Sequence, residues 1–230
     1  MNLIIGIAVT VIFYILAADA IKKHPGAFYL GIYVWCGAVV LYYNYGYVQK
    51  FPEWFNVYFM DMFVRGIFTT ATFMVVMYLG VITKHNKLSR KLMSVRGEIS
   101  IIGSLLTLSH NVVFGVHYFP MLLTNPKAMP TRELIASSIT LCLLAMLIPL
   151  FITSFKVVRR KMSGKTWKKI QRMAYPFFIG IYVHIMVLYS ADVKSHMTGI
   201  IVYSVVYVSY VVLRLRKAAL KSRKLKTAAA

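Results

Sequence analysis

Three histidines of this 230-residue chain, His110, His117 and His184, stand inside long apolar runs. An imidazole surrounded by hydrocarbon is expensive, so each must either bind something or find a hydrogen-bond partner among its neighbours. Asp61 and Arg65 stand in another apolar run at i, i+4 spacing and can pair on one helix face. His24, His85 and His196 fall in expected loops and read as solvated. Cys36 and Cys142 lie far apart with no CxxC spacing, which supports neither a disulfide framework nor a thiolate metal site.

The elements that carry these residues follow from composition. The chain is 59% hydrophobic and only 14% charged, and its mean hydropathy of +0.68 exceeds what one soluble core requires. That excludes an ordinary cytosolic enzyme, and the low charge content excludes disorder. A bilayer core about 30 Å thick needs about 20 apolar residues of helix. Seven such runs lie near 3–20, 27–48, 59–82, 99–119, 134–155, 173–191 and 198–213. They predict an all-α integral membrane protein, a bundle of about seven transmembrane helices. The short alternating segments of a transmembrane β-barrel are not seen. The first run lacks a basic leader and Asp19 interrupts its small residues, so it reads as a helix and not as a cleaved signal.

Orientation follows from Lys and Arg, because short basic loops stay cytoplasmic. All but five of the 27 fall in alternate connections: after the first run, after the third, between Lys156 and Arg172, and from Arg214 to Lys226. The exceptions are Lys50, Lys127, Arg132, Lys194 and Arg65. The reading is a multi-pass protein of the cell membrane with its N-terminus outside and its C-terminus cytoplasmic. Topology also explains the net charge of +21, so nucleic acid is not read as a partner. Trp167 with Lys168 and Lys169 reads as an interfacial anchor, and the basic tail as a segment resting on anionic lipid. Residues 1–58 divide off as two N-terminal helices, 59–215 as the core that carries the chemistry, and 216–230 as the tail.

Two of the histidines share a depth. The fourth and sixth helices run in the same direction, and their cytoplasmic ends are marked by Arg96 and Arg172. At about 1.5 Å per residue, His110 and His184 both sit roughly 18 to 21 Å above that edge. Two neutral imidazoles facing each other across a bundle can supply both axial positions of a heme iron. The same spacing also suits two histidines that are hydrogen-bonded within the bundle. His117 lies seven residues beyond His110, on nearly the same face and roughly 10 Å nearer the outside. The sixth helix offers no histidine at that level, so His117 reads as interfacial or as a secondary group. Arg65 stands at a depth where its guanidinium meets either Asp61 or a heme propionate.

The stretch Lys91-Leu-Met-Ser-Val-Arg-Gly-Glu-Ile-Ser-Ile-Ile-Gly-Ser-Leu-Leu-Thr-Leu-Ser-His110, with Thr153-Ser-Phe-Lys156, Trp167-Lys-Lys-Ile-Gln-Arg-Met-Ala-Tyr175 and His184, resembles the ferric reductase-like transmembrane domain. That superfamily includes ferric reductases, NADPH oxidases and the heme-binding membrane subunit of periplasmic methionine sulfoxide reductase. The likeness covers roughly residues 60–215. It implies a heme b-containing electron-transfer component of an oxidoreductase, with His110 and His184 as the axial ligands of the iron. In the family an inner heme is served by residues thirteen positions earlier, where this chain has Gln171 and Gly97. One heme in the outer half is therefore expected. By the same analogy, Gln171 and the basic loop around it mark a place for FMN near the inner face.

No GxGxxG fingerprint is present, so the reductant is expected from a separate donor, a flavoprotein or a quinol. The expected acceptor is extracytoplasmic: ferric iron, a flavoprotein or an oxidised periplasmic enzyme. The rival class is a non-catalytic transporter or assembly subunit whose histidines are structural or relay protons. Transporters often show internal repeats and broken helices. Here Pro149 and Pro176 are single breaks near helix ends, and the only acid read as available to a relay is the peripheral Asp61. The sequence leaves the oligomeric state open.

Overall fold

The computed structural model describes residues 2–83 and 86–229, with side chains from 3 to 223 over that range. His85 and Lys84 lie outside the described residues. Among those described there are helices and connecting turns and no strand.

The first helix, α1 (Asn2–Lys23), ends on Lys22 and Lys23, which complement the negative end of its dipole. A tight corner at His24 leads into α2 (Pro25–Asn44), where Pro25 occupies the first turn that its fixed φ suits. A left-handed Gly46 and a 3₁₀ turn at Tyr47–Lys50 then deliver the chain to a short, irregular rod. This rod comprises α3 (Glu53–Phe55), a π turn at Asn56–Met60 and α4 (Asp61–Val64). After Arg65 and Gly66 the chain resumes as α5 (Ile67–Val81), bent 47° from the rod.

That bend corrects the expectation of one unbroken helix over 59–82. The 15 residues of α5 rise only about 22 Å, too little to cross a bilayer core of about 30 Å. Only when counted together with the rod does α5 reach the length of a span. Gly66 breaks the helix because its φ of +70° lies in the left-handed region that a Cβ disfavours.

The amphipathic α6 (Lys87–Ser94) is opened by Asn86, whose side chain accepts from the Ser89 amide at 2.8 Å. Beyond it run α7 (Arg96–Thr124), α8 (Thr131–Ser154), α9 (Lys156–Arg160), α10 (Gly164–Gln171), α11 (Ala174–Tyr189) and α12 (Val193–Ala229). Six helices among the described residues are long and apolar enough to cross a membrane, or seven when the bent pair counts as one span. Large apolar side chains also face outward, with Leu16 75% and Val205 62% exposed. Water would reject so continuous an apolar exterior, whereas lipid accepts it.

The centre of the bundle is α5, whose residues are buried on nearly every side, as an apolar-all-round sequence requires. One side packs with α8, α11 and α12 through Phe73, Leu147, Phe178 and Tyr207. The other packs with α1, α2 and α7 through Val76, Tyr14, Cys36 and Ile99. Tyr14 and Thr72 join their hydroxyls at 3.2 Å between the two sides.

One further expectation is corrected. His196 is not in a loop: Asp192 accepts from the Ser195 amide at 3.1 Å and starts α12 early enough to include it. The residues assigned to a tail after 215 continue α12 as helix.

Candidate functional site

The bend in the third span creates an unusual acceptor. Because α4 ends at Val64, the Val64 carbonyl is one of the terminal groups that a helix leaves unfilled. His110 on α7 fills it, with Nδ1 2.7 Å from the Val64 oxygen. A carbonyl can only accept, so Nδ1 carries the proton and the Nε2 lone pair is left for a ligand. Gly66 lies against the same ring: a Cβ there would stand 3.7 Å from both Cγ and Nδ1 of His110.

His184 on α11 is held in the same sense by another helix. Its Nδ1 lies 3.2 Å from the Ala136 carbonyl and 3.3 Å from the Thr140 hydroxyl, both on α8. Thr140 itself donates to the Ala136 carbonyl at 2.9 Å. Orientation through Nδ1 by a carbonyl is how proteins set the tautomer of a metal-binding histidine.

The two rings come together across the bundle, with centres 6.3 Å apart and planes at 89°. Metal–imidazole bonds are about 2 Å and each nitrogen lies about 1 Å from its ring centre, so two rings on opposite sides of one ion stand roughly 6 Å apart. The observed separation meets that requirement. Among the described residues, no group of three His, Cys, Asp or Glu is placed to hold a metal. A bare ion would therefore have only two protein ligands, short of the four that zinc normally takes. An iron that brings its own macrocycle needs only two.

A cleft of about 670 Å³, counted out to where it meets the exterior, surrounds both rings. Its walls include Phe73, Leu144, Leu147 and Phe177, with Thr107, Asn111 and Arg65 as polar lining. Apolar walls and a few polar groups suit a largely hydrocarbon ligand with a polar edge. The Arg65 side chain is largely exposed, and its Nε pairs with Asp61 at 2.8 Å. Tyr43 donates to the other Asp61 oxygen at 2.9 Å, which steadies the pair.

The remaining sequence candidates lie elsewhere. His117 is exposed on α7 with its ring against Tyr118, away from the facing pair. Gln171 donates from Nε2 to the Thr153 hydroxyl at 3.0 Å, and Trp167 donates to the Thr153 carbonyl at 3.0 Å. These bonds pin α10 to the end of α8. Arg159 covers the Trp167 ring at 4.3 Å. Trp167 is therefore a packing joint.

Several contributors carried no signal that sequence reading used. Gly66 interrupts an apolar run, which is a recognisable breaker, but nothing marks Val64 or Thr140 as partners of a histidine more than forty residues away. Glu98 is a correction to the view that Asp61 alone was available as an acid. Glu98 is 4% exposed in the first turn of α7 and pairs with Lys156 at 2.5 Å.

Comparison with known proteins adds one relative. The chain is 36% identical over 155 residues to an uncharacterized protein of Treponema pallidum (strain Nichols), an alignment covering 66% of this chain and 43% of that protein. The chain thus spans less than half the length of the curated relative it matches. No family model matches, and no solved structure matches.

Proposed function

We propose that the chain is a membrane electron-transfer component of the ferric reductase-like kind, holding one b-type heme between His110 and His184. The observation that carries this reading is the pair of rings 6.3 Å apart, each anchored through Nδ1 and lacking a third protein ligand. When bound, the heme supplies a one-electron couple. The chain's own residues do the rest. Val64 orients His110, while Ala136 and Thr140 orient His184, so that both Nε2 atoms face the cleft. His110 and His184 would hold the heme, and with both imidazoles engaged the chemistry it would supply is electron transfer and not oxygen binding. Arg65 lines the cleft, where the N–H groups left over from its pairing with Asp61 would be available to a heme carboxylate.

The distribution of basic residues supports a cell-membrane protein with its N-terminus outside and its C-terminus cytoplasmic. Electrons then enter from a separate flavoprotein or quinol and leave to an extracytoplasmic acceptor. Such an acceptor is ferric iron, a flavoprotein or an oxidised enzyme. The buried Glu98 is the observation that favours the other reading, a transporter or assembly subunit with a proton relay. Its pairing with Lys156 weakens that reading, because the ion pair gives the buried carboxylate a structural role that ties the start of α7 to α9.

The test is a dithionite-reduced minus oxidised spectrum of the purified chain, with heme quantified per chain. One low-spin b-type heme is expected. No heme after expression with ample heme supply overturns the proposal in favour of the transporter or assembly reading.

A further inference from the structure

Among the described residues, none of the six acids of the chain is paired with Arg96, Arg214 or Lys217. Asp19 pairs with Lys91, Asp61 with Arg65, Glu98 with Lys156 and Glu133 with Arg132. Asp192 accepts from Ser195, and Glu53 opens α3. Three cations nevertheless gather at the end of α5. Arg96 donates from Nε to the Val76 carbonyl at 2.8 Å, and its Nη2 stands 3.0 Å from where a Cβ on Gly80 would be. Lys217 donates to the Gly80 carbonyl at 2.9 Å and to the Ile82 carbonyl at 3.3 Å. Arg214 lies over the Tyr175 ring at 4.5 Å.

Capping the helix explains part of this gathering, since a helix C-terminus carries the equivalent of about half a negative charge. Three whole positive charges exceed it. A guanidinium offers five N–H donors and no acceptor, and Arg96 engages one of them on Val76.

A neutral group points to the same deficit. Tyr210 is 3% exposed and its hydroxyl has no hydrogen-bond partner, yet it lies within electrostatic reach of Arg96 and Arg214. A buried phenol left unpaired costs free energy that a bound acceptor would recover. Cationic donors and a buried hydroxyl, with no carboxylate among them, are complementary to an anion rich in acceptor oxygens.

We infer that Arg96, Arg214, Lys217 and Tyr210 form a binding site for a phosphate-bearing anion at the end of α5. The phosphate comes either from an anionic phospholipid headgroup or from solution. The site is independent of the heme reading and shares none of its residues.

The experiment uses the full chain in maltoside micelles, in phosphate-free buffer at constant ionic strength. Thermal unfolding is followed while phosphatidylglycerol or inorganic phosphate is added. At least one probe is expected to raise the unfolding temperature with saturation. Its apparent affinity is expected to fall about tenfold in Tyr210→Phe and in Arg214→Gln, the loss of one charge-assisted hydrogen bond. Lys168→Gln, an exposed cation on α10, is expected to leave it unchanged. Protection by phosphatidylglycerol alone assigns a lipid, and protection by inorganic phosphate assigns a soluble phosphate; both uphold the site. Without any probe, Tyr210→Phe is expected to be at least as stable as the parent chain, which separates lost binding from lost folding. Absence of protection by either probe overturns the site, as does unchanged affinity in both variants or an equal loss in Lys168→Gln.

Discussion

Thirteen residues before the two histidines stand Gly97, on α7, and Gln171, on α10, and the two layers are built in opposite ways. At His110 and His184 the side chains face a cleft, and each ring is held by the nitrogen that leaves the other one open. At Gly97 and Gln171 the chain meets the end of α8 instead. A Cβ on Gly97 would stand 3.7 Å from the Ser154 carbonyl, and the Gln171 amide is engaged by Thr153. Polar groups in an apolar bundle thus serve two ends. One layer uses backbone carbonyls to orient two imidazoles beside a cleft, whereas the other uses the Thr153 hydroxyl and carbonyl to lock helices together. The difference lies in the partners, since both layers have carbonyls within reach.

The comparison is broken most directly at its first layer. His110→Ala and His184→Ala are each expected to remove nearly all bound heme while the helices remain inserted, as read by the reduced-minus-oxidised spectrum and far-ultraviolet circular dichroism. Full heme retention in both would remove the contrast between the layers. Gly66→Ala is expected to cost about 1–2 kcal/mol, because it forces a Cβ into the left-handed region. It should also move the carbonyl that aims His110, and electron paramagnetic resonance is expected to show more than one low-spin species where the parent shows one.

Gln171→Ala sharpens the second layer. Loss of its bond to Thr153 is expected to lower stability by about 1 kcal/mol while leaving heme per chain unchanged. A fall in heme content would show that the inner layer takes part in binding. His117→Ala is expected to have the smallest effect, no change in heme content or spin state. Loss of half the heme would reveal a second site at the exposed end of α7.

Much of this arrangement was legible in one dimension. Long apolar runs separated by basic connections determine helices that can cross a membrane, because hydrocarbon demands an internally satisfied backbone. The distances of His110 from Arg96 and of His184 from Arg172 place both rings at one depth, since a helix converts residue number into height at a nearly fixed rate. The i, i+4 spacing of Asp61 and Arg65 likewise foretold their pairing, which is local to one helix.

What the sequence did not disclose depends on contacts between distant segments. A glycine within an apolar run signals a breaker, but its 47° consequence and the histidine that fills the freed Val64 carbonyl come from packing α5 against α7. Thr140 becomes a histidine partner, and Thr153 the anchor of Trp167 and Gln171, only when α8 is placed beside α11 and α10. The burial of Glu98 and the gathering of Arg96, Arg214 and Lys217 around α5 belong to the same class. Sequence periodicity determines what a helix is and how deep each residue sits, because those properties are set within the helix itself. Which donor meets which acceptor is a property of the space between helices, and only the tertiary structure decided it.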